Sequence, residues 1–173
     1  MNNSQINFRK LTKTDLPQLH EWLNKPMISE WFGNPPSVKE VEQKFIPYIE
    51  GTKPTYPFVI MCNDKDIGYI QTYMIQDYPD YANHLNLEAK AAGMDQFIGE
   101  EDYIHKGLGK VIMTKFLNEY VFILNDTDEC ILGPEPNNKA AIRAYEKVGF
   151  RHFDNVVVDG ELEYLMRIYK GSI

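Results

Sequence analysis

The stretch HKGLGKVIMTKF, residues 105–116, places two glycines and two lysines in front of an apolar run with helical spacing. A dinucleotide-binding fingerprint, G-x-G-x-x-G, is excluded because its third glycine position holds Ile112. A P-loop is also excluded, since Ile104 and Val111 stand where that motif needs a glycine and a serine or threonine. Two interpretations are left: an ordinary tight turn, or a glycine turn at a helix N-terminus that binds an anion.

The anion-binding interpretation follows from the free backbone N–H groups in the first turn of a helix, whose dipole also attracts negative charge. Gly107 and Gly109 carry no Cβ and would let the backbone approach a phosphate closely. Lys106 and Lys110 add positive charge. On this interpretation the segment predicts a helix that begins at Gly107 with a pyrophosphate at its start, and an ordinary tight turn stays the alternative.

A second stretch, NNKAAIRAYEKVGF (residues 137–150), follows a short apolar strand and makes the pattern specific. Together the two stretches resemble the GNAT N-acetyltransferase superfamily, whose members use acetyl-CoA. There, a loop of the form Q/R-x-x-G-x-G/A cradles the pyrophosphate, and a later helix carries an asparagine, a tyrosine and a Y-x-K-x-G-F run. One position departs from the pattern: Ile104 replaces the glutamine or arginine, which removes a side-chain contact but leaves the backbone cradle.

A narrower resemblance is to the aminoglycoside 6′-N-acetyltransferases. It is carried by the segments HEWLNKPMISEWFG (20–33), DIGYIQTY (66–73), GMDQFIGE (93–100) and AIRAYEKVGF (141–150). It implies that acidic side chains surround a polycationic sugar, with Asp95 as the proposed base and Asp159 as one of the binding groups. A further aspartate of that group precedes a proline at the end of the fifth strand, where this chain has Gly133.

The resemblance implies two catalytic residues, Asp95 and Tyr145. An unperturbed aspartate titrates near ~3.9 and a lysine-like amine near ~10.4, so Asp95 is better suited to orient an ammonium than to deprotonate it. Tyr145 would protonate the departing thiolate, a mildly uphill transfer from a pKa near ~10 to one near ~8.5. The alternatives are a solvated Asp95 at a strand end and a Tyr145 that packs beside Ile142.

The resemblance also implies how acetyl-CoA is bound. Backbone N–H groups of Phe97 and Ile98 would bind the pantetheine arm and the developing oxyanion. Asn138 would bind the cofactor or, alternatively, cap a helix. The predicted cofactor-binding residues are Phe97, Ile98, His105, Lys106, Gly107, Leu108, Gly109, Lys110, Asn138, Ala141 and Tyr145.

The acceptor should be a small cationic amine, held by aromatic and acidic side chains. Further candidates are Tyr78 and Tyr81 for the pocket wall and Asp77, Asp80, Glu88 and Glu100 for charge, although core packing or solvation is the ordinary fate of each. The predicted substrate-binding residues are Trp31, Phe32, Tyr73, Asp95, Gln96 and Asp159.

Composition restricts the partners. The formal net charge of −7 argues against nucleic acid, which needs a basic surface. Cys62 and Cys130 lie in apolar strand-like runs and are expected to be reduced core residues, and no metal site is predicted because the four histidines are scattered. No apolar run reaches the length of a membrane span, and the first residues lack a signal-peptide pattern. We therefore expect a cytoplasmic monomer or homodimer.

The fold class is α/β (α+β), with one domain over residues 1–173. Periodicity and capping signals predict strands, helices and an irregular connection over residues 77–91. The predicted strands are 5–10, 56–62, 66–75, 94–98, 129–132, 150–158 and 161–169. The first predicted helix is capped by Thr12 or Thr14 and ends at about residue 23, and a second, short helix ends near residue 33. The other predicted helices are 38–49, 107–124 and 138–148. The resemblance implies a mixed, mostly antiparallel twisted sheet with splayed central strands and helices on both faces.

These observations favour acetyl transfer from acetyl-CoA to a primary amine of a cationic small molecule, an aminoglycoside above all. One alternative keeps the reaction and changes the acceptor to a polyamine, a siderophore precursor or a peptide, which the loss of the aspartate at Gly133 favours. The other alternative is an acyl-CoA-binding module without turnover.

Overall fold

Seven strands form one sheet in the computed structural model, which describes residues 5–173. Their order is β1-β2-β3-β4-β5-β7-β6. The pairs β1–β2, β5–β7 and β6–β7 are antiparallel, and β4–β5 is parallel. The strands are β1 (Ile6–Lys10), β2 (Thr55–Cys62), β3 (Lys65–Met74), β4 (Ala92–Ile98), β5 (Glu129–Leu132), β6 (Arg151–Val158) and β7 (Glu161–Tyr169).

Seven helices connect the strands. They are α1 (Leu16–Leu23), α2 (Pro26–Phe32), α3 (Val38–Ile49), α4 (Pro79–Leu85), α5 (Leu108–Phe116), α6 (Phe122–Leu124) and α7 (Lys139–Val148). Leu117–Val121 is π-helical, and short 3₁₀ turns cover Lys13–Asp15, Ile75–Asp77 and Glu101–Tyr103. Within residues 5–173, no helix is long and apolar enough to cross a membrane.

Contacts between Cα atoms divide the chain into two compact units. The first unit is Met1–Gln71, described from residue 5, with Gln96–Leu108; the second unit is Thr72–Asp95 with Gly109–Ile173. Strands β3 and β4 each contribute residues to both units.

The core of the first unit packs α1 and α3 against the sheet. Leu19 and Trp22 of α1 and Phe45 of α3 are almost fully buried. The predicted capping box starts α3: the backbone N–H of Glu40 donates to Ser37 Oγ (3.3 Å), and the Ser37 N–H donates to Glu40 Oε2 (2.7 Å). These bonds satisfy groups that the helix start would leave unpaired, so the apolar face of α3 can be packed in place.

A buried polar chain fixes the start of β4 in the second unit. Asn125 Nδ2 donates to Thr72 Oγ1 (2.8 Å), which in turn donates to the carbonyl of Gly93 (2.8 Å). Both side chains are buried, and a buried hydrogen bond is costly to leave unmade. The chain therefore ties β3, β4 and the end of α6 together next to the position of Asp95.

The structure corrects one sequence-based expectation and refines another. Residues 77–91 are not irregular throughout, since α4 occupies seven of these fifteen residues; Pro79 at its start and the left-handed Asn86 (φ +48°) after its end are the signals that were missed. The predicted helix over 107–124 is confirmed over 108–124, but its geometry changes from α to π at Leu117 and back to α at Phe122. Apolar spacing alone does not separate the two helix types.

Candidate active site

Strands β4 and β5 part shortly after they meet. Their parallel register joins Ala92 to Cys130 and Gly93 to Ile131, while β4 continues to Ile98. A cavity of about 140 Å³ lies where the pairing ends. We call it the acidic cavity; its lining residues are Tyr73, Tyr81, Met94, Asp95, Ile131, Leu132, Gly133 and Glu163.

Tyr73 covers one side of the acidic cavity because Gly93 leaves room for it. A Cβ on Gly93 would lie 2.4 Å from Cζ of Tyr73, so the ring lies directly over the β4 backbone. The ring also packs edge-on against Tyr78, with centroids 5.3 Å apart. Burial raises the pKa of Tyr73, and the charge of Asp95 raises it further. The phenol is thus neutral near pH 7.

Asp95 is the electrostatic centre of the second unit. It is half-buried on β4. After burial itself, the charge of Asp95 contributes to the raised pKa of Tyr145 and of the Cys130 thiol, and it also acts on Glu163. Together with Tyr73 and Tyr81, five titratable groups have a pKa raised in part by the charge of Asp95. Perturbed pKa values of this kind cluster at functional sites.

Tyr145 lies half-buried on α7, on the side chain row that also holds the buried Ile142. Its ring packs at a tilt of 58° against Phe150, with centroids 6.0 Å apart. Burial raises the pKa of Tyr145, so its hydroxyl keeps its proton at neutral pH. Tyr145 therefore packs against Phe150 and also carries a protonated hydroxyl, whose pKa the charge of Asp95 raises further.

Glu163 is the residue of the acidic cavity that the sequence analysis missed. It is half-buried on β7, and its Oε2 accepts a hydrogen bond from the Tyr81 hydroxyl at 2.9 Å. Burial raises the pKa of Glu163, the Tyr81 hydrogen bond lowers it, and the Asp95 charge raises it again. The unexplained Gly133 was the available signal, because β5 and β7 are neighbours and Glu163 lies beside that glycine.

Asp159 lies outside the acidic cavity, exposed in the turn between β6 and β7, with φ +51°. It lines a second cavity of about 280 Å³ together with Asp77, Tyr78 and Asp80. Tyr81 lines both cavities. The predicted acidic residues of the second unit therefore lie in two adjoining cavities, except Glu88, which is exposed elsewhere on the α4–β4 connection.

The remaining predicted substrate residues belong to the first unit. Phe32 is 44% exposed and packs edge-on against Phe97 at 5.2 Å between centroids, whereas Trp31 is half-buried. Gln96 and Ile98 are half-buried on β4. Glu100 accepts a hydrogen bond from Trp22 Nε1 at 2.9 Å, which lowers the pKa of its carboxyl, so Glu100 has a partner within the first unit.

The predicted phosphate-binding segment has the required backbone shape. His105 and Gly107 have positive φ values of 58° and 75°, and open space surrounds the Cβ position of Gly107. Helix α5 begins at Leu108, and a Cβ on Gly109 would meet only Met113 Cε, at 3.9 Å. Lys106 and Lys110 are exposed. Alternating backbone conformations of this kind point successive N–H groups to one side and bind anions.

Asn138 caps α7, as the alternative interpretation predicted. Its Oδ1 accepts a hydrogen bond from the backbone N–H of Ala141 at 3.1 Å. This bond uses one donor at the start of α7. A direct bond from Asn138 or Ala141 to the cofactor stays a prediction.

Comparisons with known proteins find a matching family model and similar relatives. A model of the acetyltransferase (GNAT) domain matches residues 12–158. The chain is 30% identical over 169 residues to the aminoglycoside N(6′)-acetyltransferase type 1 of Klebsiella pneumoniae, covering 95% of this chain and 84% of the relative.

Solved structures are also similar. The crystal structure of aminoglycoside acetyltransferase AAC(6′)-Ib with coenzyme A and kanamycin has a TM-score of 0.86 and 27% identity, covering 97% of this chain and 96% of that one. A spermidine N-acetyltransferase from Vibrio cholerae has a TM-score of 0.74 at 21% identity over 97% of both chains, and it shows the fold alone. The predicted mixed sheet of the acetyltransferase fold is confirmed.

Proposed function

Because this chain belongs to the GNAT acetyltransferase family, we propose that it is an acetyl-CoA-dependent N-acetyltransferase whose acceptor is the 6′-amine of an aminoglycoside. The observation that carries the choice of acceptor is the acidic cavity, where the carboxylates of Asp95 and Glu163 line about 140 Å³ together with two tyrosines. Such a cavity suits an ammonium group on a sugar ring. The aminoglycoside acetyltransferases named above support the same acceptor class.

The segment from Lys106 to Lys110 fits the pyrophosphate of acetyl-CoA. Gly107 holds a backbone conformation that residues with a side chain rarely adopt, and open space surrounds its Cβ position. Helix α5 has nine residues, which is long enough for its peptide dipoles to add up along the axis. The N–H groups of its first turn and this dipole both favour a negative charge at the helix start. Bound there, acetyl-CoA supplies the thioester whose carbonyl carbon the amine attacks.

Asp95 holds and orients the acceptor ammonium. A carboxylate is a far weaker base than an amine, whose ammonium titrates near ~10.4, so the ammonium loses its first proton to water. A carboxylate at the acidic cavity then keeps the neutral amine aimed in one direction. Asp95 thus contributes mainly to geometry and charge pairing.

Tyr145 protonates the departing sulfur. Its hydroxyl is protonated at neutral pH because burial raises its pKa, and the same loss of water makes a nearby thiolate more basic. Tyr145 gives its proton to sulfur and regains one released from the nitrogen as the C–N bond forms and the C–S bond breaks. Burial also raises the pKa of Cys130, so that thiol stays protonated and does not serve as an acetyl carrier.

The decisive experiment measures release of coenzyme A thiol. The purified protein and acetyl-CoA are combined with a kanamycin-type aminoglycoside, a polyamine, a hydroxylamine or no acceptor. Rapid release with the aminoglycoside, and mass-spectrometric assignment of the acetyl group to its 6′-amine, would support the proposal. Release only with another amine would contradict the acceptor, and acetyl-CoA binding without release would indicate a non-catalytic module.

A variant separates catalysis from binding. Asp95→Asn keeps the size of the side chain and removes its charge, so we expect a large loss of kcat/KM for the acceptor with acetyl-CoA affinity unchanged. We further propose one catalytic domain of residues 1–173 that acts as a monomer or homodimer in the cytoplasm. The free, buried Cys62 and Cys130 agree with a reducing compartment.

A further inference from the structure

Gly133 and Glu163 form a complementary pair at the rim of the acidic cavity. A Cβ built on Gly133 would lie 2.0 Å from Glu163 Oε2 and 3.3 Å from Glu163 Cβ. Backbone atoms hold the two strands in this register, since the N–H of Tyr164 donates to the Pro134 carbonyl at 2.9 Å. The carboxylate of Glu163 therefore occupies the space that a side chain at residue 133 would take.

Hydrogen bonding fixes the direction of the Glu163 carboxylate. The Tyr81 hydroxyl donates to Oε2 at 2.9 Å, and Tyr81 itself lines the cavity from α4. Within residues 5–173, no lysine or arginine forms an ion pair with Glu163. A half-buried carboxylate with one neutral hydrogen-bond donor retains lone pairs for a cation.

Resting on the proposed function, we propose that Glu163 supplies, from β7, an acceptor-binding carboxylate in the space where a side chain at residue 133 would lie. Together with Asp95, it binds the ammonium of an aminoglycoside and determines acceptor affinity. Glu163 is thus a substrate-binding residue, and Tyr81 is the residue that positions it.

The electrostatics of the cavity favour this role. Asp95 and Glu163 face one cavity, and their mutual repulsion disfavours charging both, which agrees with the contribution of Asp95 to the raised pKa of Glu163. An ammonium placed between them replaces one repulsion by two attractions. The arrangement therefore prefers a cationic occupant to an empty or neutral one.

The first test replaces the charge alone. Glu163→Gln keeps the shape, and its amide oxygen can still accept from Tyr81. We expect the KM for a kanamycin-type acceptor to rise by about tenfold or more, the range that follows from losing a charge-assisted contact, with the KM for acetyl-CoA unchanged. The matched control is Glu161→Gln, which removes the same charge from an exposed position on the same strand.

The second test exchanges the two positions. Gly133→Asp alone should impair acceptor binding, because its Cβ would displace the end of the flexible Glu163 side chain from its position beside Tyr81. Adding Glu163→Ala to Gly133→Asp removes the clash and places a carboxylate at the end of β5 instead of on β7, so acceptor affinity should recover relative to either single variant. Such recovery is not expected if Glu163 only supports the fold.

The outcomes separate this inference from the proposed function. If the parent enzyme acetylates no aminoglycoside, the proposed function fails and the inference fails with it. If the parent is active and Glu163→Gln has an unchanged acceptor KM, the inference alone is overturned. A higher acceptor KM in Glu163→Gln, parental behaviour in Glu161→Gln and recovery in the double variant together would establish the exchange.

Discussion

Replacing Tyr145 by phenylalanine tests the proposed proton transfer with little disturbance of packing. The substitution removes one hydroxyl and keeps the ring that packs against Phe150 at 6.0 Å. A hydrogen bond to a charged group contributes about 1.5–3 kcal/mol. At 1.36 kcal/mol per factor of ten in rate, loss of this contact to the departing sulfur should lower kcat about 10- to 150-fold.

The assay for Tyr145→Phe is thiol release at saturating acetyl-CoA and aminoglycoside, with acetyl-CoA affinity measured separately by calorimetry. Because burial raises the pKa of Tyr145, its hydroxyl stays protonated up to and beyond its ordinary value near ~10. The parent kcat should therefore show no alkaline decline from this group below that pH. Tyr56→Phe, at an exposed tyrosine of the first unit, is the control.

An unchanged kcat in Tyr145→Phe would refute the proton-transfer argument and leave Tyr145 a packing residue. A lower kcat with an equally lower affinity for acetyl-CoA would contradict it as well, since the hydroxyl would then serve binding. Only a loss confined to kcat agrees with a donor that acts on the departing sulfur.

Gly107→Val should raise the KM for acetyl-CoA strongly, because a β-branched residue does not tolerate φ +75° and would distort the backbone of the proposed phosphate-binding segment. Tyr81→Phe should raise the acceptor KM more than it lowers kcat, since it frees the Glu163 carboxylate to turn. Asp15→Asn should lower the free energy of unfolding by on the order of 1 kcal/mol near pH 7 through its hydrogen bonds to Arg9. Burial raises the pKa of Asp15, but the hydrogen bonds outweigh that effect and lower it, so this stabilisation is present above pH ~4 and disappears as the pH falls through the folded pKa.

Each of these predictions has a control. Gly51→Val introduces the same strain at φ +71° in open space away from the phosphate segment, so it should lower stability and leave the acetyl-CoA KM unchanged. Equal acetyl-CoA KM values for the Gly107 and Gly51 variants would refute the cradle. An unaltered acceptor KM in Tyr81→Phe would contradict the positioning role of Tyr81. For Asp15→Asn, urea unfolding should show a smaller difference from the parent at pH 3 than at pH 7. An equal difference at both pH values would contradict the argument that the charge of Asp15 stabilises the fold.

Local sequence signals predicted the parts of the fold that depend on local chemistry. The capping box of Ser37 and Glu40 located the start of α3, since both partners lie within one turn. The glycine pattern at Gly107 located the start of α5, because a turn with positive φ favours a residue without a Cβ. The cap at Asn138 was also among the interpretations of the sequence, since the side-chain oxygen of Asn138 and the backbone N–H of Ala141 that it accepts from are only three residues apart.

Local sequence signals could not predict which side chains meet across neighbouring strands. The proximity of Gly133 and Glu163 depends on the register of β5 against β7 and on a side-chain direction, neither of which a single sequence reports. The π-helical turn after α5 likewise leaves the apolar spacing almost unchanged. Of the acidic cavity, sequence analysis therefore assigned Asp95 and Tyr73 but missed the carboxylate opposite them.

Viewed through the sequence alone, Gly133 marks a lost carboxylate and weakens the case for an aminoglycoside acceptor. The structure changes the weight of that observation, because a neighbouring strand places Glu163 where any Cβ at residue 133 would collide with it. The two residues are consequently coupled: a glutamate at 163 in this orientation requires a glycine at 133. An acceptor site can keep its charge while the residue that carries it moves to the next strand, and a missing residue in a motif is then best judged by what occupies its space.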